Sequence, residues 1–409
     1  MSRDPETPDP ETPARPIVSR AGTNLVGGSA HNRRVILDAL RTNGTLSRAE
    51  LARSTLLTRQ TTSNIMDELE AAGLVQAEPA VKLKRGQPAV PYRLVPSGAF
   101  AIGLHIDKRY LRAVAVDLLC RPLLKLGAEL PDEGPYKGMP VALDLVRRLQ
   151  RELQRLHPEA EQRIVGLGVA MPGPFGVRRR VQHQGEVAHW HDFPLARTLA
   201  EATGLTVRVF NDAAAATLAE KLGGVAHGID NFVYVFLAHG IGAGVVAGGE
   251  LLEGTRGNLG EIGEMILGDD GRSLEDQASL ASLLVHLGAP SGSAPETFEL
   301  IERALMANDP RIETWIRKVA PRLRQAVQIV ESAFDPDTIV FGGELPKALL
   351  ARLVPAIEPL LTSVSDHADR QHPRLLIGEA DRWAVALGAA TEPISREFDP
   401  RLAAMLKAG

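Results

Sequence analysis

A single cysteine, Cys120, occurs in 409 residues. An internal disulfide is therefore impossible, and a zinc site built from several cysteines cannot form. No stretch is long and apolar enough to span a membrane, and no apolar segment of signal-peptide type lies near the amino terminus. Together these absences make a cytosolic protein the expectation. The first thirty residues almost lack large apolar side chains and are rich in Pro, Asp, Glu and Thr, so residues 1–30 read as a disordered tail. Apolar residues make up 44% of the whole chain, ample for buried cores. The length suits a small domain followed by a large, bilobed one.

The small domain is legible at residues 47–75. Two short helices with a tight turn between them are predicted. Leu51 and Ala52 face a core in the first, and Ile65, Met66 and Leu69 do so in the second. Ser47 and Thr58 stand where helix caps belong, and Ser47-Arg48-Ala49-Glu50 has the capping-box pattern. Opposite the second apolar stripe lie Arg59, Gln60, Thr61, Ser63 and Asn64, and Thr58 at the helix start joins them as a DNA-binding candidate. Such side chains reach base edges and phosphates from a helix in a DNA major groove. A helical hairpin with a merely polar outer face is the plain alternative, and the segment from Leu74 to Val95 weighs against it.

Leu74-Val75 opens a strand, residues 81–88 form a basic turn, and Tyr92-Arg93-Leu94-Val95 returns as a second strand. This is the wing of a winged helix-turn-helix over residues 31–95. Arg85 is placed to enter a minor groove, while Lys82 and Lys84 suit phosphate contacts. The net charge of −4 divides accordingly. Residues 31–95 hold ten Lys/Arg against six Asp/Glu, and residues 96–409 hold thirty-three against forty. A basic head on an acidic body fits a duplex-DNA partner for the head and another task for the body.

From residue 101 apolar strands alternate with longer helical runs, the mark of α/β architecture. Strands are predicted at 101–107, 111–117, 164–170, 206–210, 232–237, 244–246 and 338–341. Helices are predicted over 140–156, 212–222, 274–287, 296–307, 311–333 and 346–362. Asn211-Asp212 falls between a strand's carboxyl end and a helix start, where α/β folds place ligand chemistry. Asp212 could equally serve as an N-cap, and both roles can hold at once. Glu261 lies in the glycine-rich loop 256–264, whose tight turns can aim a carboxylate into a cleft; the alternative is a solvated loop acid.

Several segments carry a resemblance. Gly166-Leu167-Gly168-Val169-Ala170-Met171-Pro172-Gly173-Pro174 comes first, then Trp190-His191-Asp192-Phe193-Pro194-Leu195 and Asn211-Asp212-Ala213. Gly240-Ile241-Gly242-Ala243-Gly244, Gly260-Glu261-Ile262-Gly263 and Val340-Phe341-Gly342-Gly343 come after them in order. Residues 31–409 resemble the ROK family of sugar-responsive repressors and sugar kinases. The resemblance implies a bilobed, actin/hexokinase-like ROK body over 96–409, with one lobe at about 96–212 and 382–409 and the other at about 213–381. It also implies that Asp212 accepts a sugar hydroxyl with Asn211 beside it, and that Glu261 and Glu275 face the sugar. Glu275 is open to a second reading as a first-turn helix acid.

Three departures from the family pattern bear on chemistry. Where kinase members carry D-x-G-G-T, this chain reads Asp107-Lys108-Arg109-Tyr110-Leu111, without the bare glycine backbone that lets ATP phosphates approach. The second nucleotide loop reads Ala238-His239-Gly240-Ile241-Gly242, short of one glycine and a threonine hydroxyl. The family's zinc-binding histidine and cysteines are absent, with Glu264 at the histidine position. Glu264 therefore joins the sugar-site candidates, and recognition of one or two hydroxyls must differ. His183, His189 and His191 near Trp190 fit no helix face, and packing or ligand contact suits them better than metal; His189 or Glu186 is a candidate pocket residue.

The expectation is a non-enzymatic transcriptional repressor with no cofactor and no metal. Its partners are operator DNA and a sugar or sugar derivative, and it is expected to act as a homodimer or a dimer of dimers. The competing readings are a sugar kinase and a regulator controlled by a protein partner.

Overall fold

The computed structural model describes residues 28–80, 89–131, 134–176, 188–289, 295–379 and 381–400. The described residues form two compact units, one of residues 28–98 with 398–400 and one within residues 99–397. No helix among the described residues is long and apolar enough to cross a membrane.

In the first unit, α1 (Ser29–Asn43) buries Val35, Ile36, Leu37, Ala39 and Leu40. Strand β1 (Leu46–Ser47) leads into α2 (Arg48–Thr55), and α3 (Arg59–Ala71) comes next. The capping box forms as the sequence suggests: Ser47 Oγ accepts from Glu50 N, and the Glu50 carboxylate accepts from Ser47 N at 2.8 Å. Leu56 adopts a left-handed conformation at φ 57°, which turns the chain sharply. Thr58 then caps α3 by accepting from Thr61 N at 3.1 Å. Ile65, Met66 and Leu69 are buried, as their 3–4 residue spacing requires.

Strands β2 (Val75–Ala77) and β3 (Pro91–Leu94) pair antiparallel, Val75 opposite Leu94, with β3 between β1 and β2. The basic turn at 81–88 lies outside the described residues. Residues 91–98 belong to this packed unit. Val95 N donates to Leu74 O at 2.9 Å, and a side chain at Gly98 would fall 2.8 Å from Gly73 O. Residues 398–400 also group here, not with the body as the sequence suggested. Asp399 lies 3.9 Å from Arg41.

The second unit contains two five-stranded sheets of one design. The first comprises β4 (Phe100–Ile106), β5 (Tyr110–Asp117), β6 (Pro122–Glu129), β7 (Ile164–Met171) and β8 (Val207–Asn211), in the order β6-β5-β4-β7-β8. The second comprises β9 (Phe232–Leu237), β10 (Ile241–Ala247), β11 (Glu250–Leu252), β12 (Thr338–Gly343) and β13 (Leu375–Ile377), in the order β11-β10-β9-β12-β13. Each has three antiparallel strands continued by two parallel ones.

Helices cover the sheets. α4 (Pro135–Leu156) packs on β5 and β6, and begins at Pro135, five residues before the predicted start, because proline suits the first helical turn. Short α5 (Ala160–Arg163) and α6 (Ala188–His191) precede α7 (Leu195–Thr203), and α8 (Asp212–Gly223) packs on β9 and β10. The predicted helix 274–287 is two helices, α9 (Leu274–Ala278) and α10 (Leu280–His286). Ser279 is extended and its hydroxyl accepts from Ser282 N, a local cap that outcompetes a continuous helix. α11 (Pro295–Met306) and α12 (Pro310–Phe334) run as expected, whereas α13 (Lys347–Ala356) stops short of the predicted residue 362. Pro359 disfavours helical backbone at Glu358, and Arg324 satisfies the freed carbonyls by donating to Ile357 O and Glu358 O.

α14 (Ala384–Phe398) was not apparent in the sequence because its core face is made of small residues. It presses on the first sheet through glycines. A Cβ on Gly103 would lie 2.0 Å from Ala386 O, and one on Gly168 would lie 2.0 Å from Ala389 O.

Candidate functional site

On the first unit, Thr58, Arg59, Gln60 and Asn64 are exposed along α3, while Thr61 and Ser63 are half-buried. Gln60 Nε2 donates to Asn64 Oδ1 at 2.8 Å, which leaves the Gln60 oxygen and the Asn64 amide free to point outward as an acceptor–donor pair. Ser63 is used internally, since its hydroxyl accepts from Arg48 at 2.7 Å. Arg48 also donates to Asp67 at 2.6 Å and to Tyr92 Oη at 3.0 Å, and stacks over the Tyr92 ring. This brace fixes α3 against α2 and β3. Nothing local in the sequence marks it, because its partners lie 15 to 44 residues away. Lys82, Lys84 and Arg85 lie outside the described residues.

On the second unit, the carboxyl ends of parallel strands converge on one cleft. Asp107 comes after β4, Pro172 and Gly173 after β7, Asn211 ends β8, Ala238 to Gly240 come after β9, and Glu344 after β12; all line it. Open α/β sheets bind ligands in such a position. The cleft holds about 810 Å³ free of protein atoms, counting its open mouth.

Asn211, not Asp212, is the N-cap of α8: its Oδ1 accepts from Ala213 N at 2.8 Å and Ala214 N at 3.2 Å. Asp212 opens the helix and uses Oδ1 on Ala213 N. Asn211 Nδ2 donates to Glu261 Oε1 at 3.2 Å. The approach of these two side chains depends on Gly173, where a Cβ would come within 2.1 Å of Glu261 Oε1. Glu275 accepts from Ile241 N at 3.0 Å and fits against bare Gly240, so it braces the 238–242 loop as well as lining the cleft. Glu264 is exposed and lines the cleft as well.

Two further acids, Asp107 and Glu344, complete the lining. Arg112 on β5 donates to Glu344 at 2.6 Å. Burial pushes the Asp212 carboxyl up to about 7, helped by the charges of Asp107 and Glu344. Burial also lifts Glu261 to about 8, with Asp212, Glu275 and Glu264 adding to the effect. Glu344 rises to about 7 for the same first reason, then Asp107, while Arg112 opposes. Carboxyls poised near neutrality can either donate to or accept from hydroxyls.

His191 lines the cleft and bonds Pro172 O at 2.8 Å through Nε2. His189, proposed for that place, is exposed instead, and His183 and Glu186 are outside the described residues. Trp190 is buried against Phe193 and Gly138. Among the described residues no group of three or more His, Cys, Asp or Glu is placed to hold a metal ion. The segment from Gly260 to Glu275 offers carboxylates and no thiol, which does not fit a thiolate-rich zinc site.

The ROK family profile matches residues 140–391, and the MarR family profile matches residues 34–86. The chain belongs to the ROK family. It joins a MarR-like winged helix-turn-helix to the sugar-kinase-like α/β body of ROK proteins. The DNA-binding transcriptional repressor Mlc of Escherichia coli K12 is 26% identical over 326 residues, covering 75% of this chain and 79% of that protein. A solved ROK family transcriptional regulator, described as a homologue of Mlc, superposes with a TM-score of 0.71 at 23% identity over 92% of this chain and 98% of its own. The ROK hexokinase of Thermus thermophilus gives 0.54 at 29% identity, over 76% of this chain and all of its own.

Proposed function

We propose that this ROK protein is a sugar-responsive transcriptional repressor. Its winged head reads duplex operator DNA through Arg59, Gln60 and Asn64, and its body binds a sugar or sugar derivative through Asn211, Asp212, Glu261 and Glu264, with Glu275 holding the adjoining loop. The observation that carries the reading is the meeting of Asn211, Asp212 and Glu261 at the strand ends, in a chain that also exposes a polar recognition helix. Similarity to Mlc supports the regulatory role. The protein acts as a dimer or a dimer of dimers on operators with two-fold symmetry, since paired helix-turn-helix heads read paired half-sites.

Phosphoryl transfer is the second reading, favoured by Asp212, whose carboxyl is poised near neutrality where a base would act, and by likeness to the hexokinase. The loops count against it. Lys108 N donates to Asp107, Asp107 N to Tyr110 O, Ala238 N to Gly240 O, and Ile241 N to Glu275, so these N–H groups are not open to a phosphate. Asp107 and Glu344 would add repulsion. The test is a thermal-shift panel of monosaccharides with and without ATP, followed by a phosphorylation assay of any binder. A shift by sugar alone, with no phosphate transferred, is expected; transfer abolished by Asp212→Asn would establish the kinase reading.

A further inference from the structure

The cleft is crowded with carboxyl groups. Asp107, Asp212, Glu261, Glu264, Glu275 and Glu344 line it, against the ammonium of Lys108 and with Arg112 at Glu344. His105, also in the lining, adds no cation, because burial and then the charge of Arg112 hold its imidazole well below the usual range.

A second observation is independent of this count. Asp107 is 6% exposed, and one of its oxygens accepts from Lys108 N at 2.7 Å. Its other oxygen, Oδ2, is buried with no hydrogen-bond partner among the described residues, as is Nδ1 of His105. Buried polar atoms without partners are costly and uncommon in folded proteins. Both residues line the open cleft, so the donor that Asp107 Oδ2 lacks is one that a ligand can bring.

A neutral hydroxyl would satisfy the Asp107 oxygen but leave the carboxyls of Asp107, Asp212 and Glu344 held above their ordinary range. An anionic group would raise them further. A cationic donor meets both needs, since it forms charge-assisted bonds and offsets carboxylate charge. An ammonium moved from water into the cleft would be paired on arrival, which is the condition for such burial to be favourable.

We infer that the ligand of the cleft is a sugar bearing a protonated amino group, with its ammonium seated at Asp107 between Asp212 and Glu344. The inference rests on the reading of the cleft as a sugar site and narrows it to amino sugars.

Isothermal titration of the full chain near neutral pH tests it. The probes are glucose, galactose and mannose, their 2-, 3-, 4- and 6-amino-deoxy analogues, the N-acetylated form of each amine, and the hexose 6-phosphates. At least one free amine should bind tenfold or more tighter than its parent hexose, and acetylation should remove the gain. Asp107→Asn should cut the amine-to-hexose ratio at least threefold. If that variant does not fold, the acetylation comparison on the unaltered protein decides alone. Neutral or phosphorylated sugars binding as well as every amine would overturn the inference and leave the sugar reading standing. Binding by no sugar of any kind would overturn both.

Discussion

Arg112 and Glu344 form a 2.6 Å ion pair that ties the first sheet of the body to the second, with side chains only 14% and 15% exposed. Arg112 also offsets the charge of buried Asp107. Removing one partner of a largely buried pair leaves the other charge uncompensated. Arg112→Gln should therefore cost about 2–3 kcal/mol of stability. Carboxyls held above their ordinary range favour the folded state while protonated, and lose that contribution as pH rises through the folded value. The deficit should thus be larger at about pH 8 than at about pH 5, as urea unfolding at the two pH values will report. Equal midpoints for variant and parent at both would contradict it.

Glu261 offers a complementary measurement. Its carboxyl is raised from 4.5 to about 8, so the folded state holds a proton that the unfolded chain has released over that interval. Stability contributed by this group is complete below about pH 4.5 and is lost as pH climbs through about 8. Glu261→Gln keeps an oxygen for Asn211 and removes the titration. The variant should gain on the order of 2 kcal/mol over the parent at about pH 8.5 and little at about pH 5. Thermal melts across that range check this; a constant difference would show that Glu261 does not titrate there.

Much of this arrangement was readable in the sequence. Ser47 and Thr58 announce their helices because a cap acts within three residues. Asn211-Asp212 announces a site because it stands at a strand's end. Glu344 carries no such signal: its meaning comes from a partner 232 residues away. Asp107 was legible as a broken phosphate turn but not as a buried acid with an unsatisfied oxygen. The division of labour between Asn211 and Asp212 was also hidden, since either side chain can cap a helix. α14 escaped because alanine and glycine leave no apolar stripe, and their smallness matters only against Gly103 and Gly168 on distant strands.

The head makes two separable predictions. Arg59→Ala or Gln60→Ala should relax base preference by about 1–3 kcal/mol at the position each reads. Arg48→Ala should instead weaken binding to all sequences alike, because it frees α3 from Ser63, Asp67 and Tyr92. It should also lower the head's stability by about 1–2 kcal/mol, given the charge-assisted bonds lost. Binding-site selection from a random duplex library separates the two; a changed consensus for Arg48→Ala would contradict its role as a brace.

Central to the protein's proposed role is the coupling of the cleft to DNA binding. A ligand shifts that equilibrium only by its difference in affinity for the DNA-competent and incompetent forms. A tenfold change in operator affinity corresponds to about 1.4 kcal/mol. The direct measurement is operator affinity against ligand concentration for the parent and for Asp212→Ala. The parent should respond at least tenfold, while Asp212→Ala should bind operator normally and fail to respond. The same midpoint for both proteins would contradict the placement of the sugar site at Asp212.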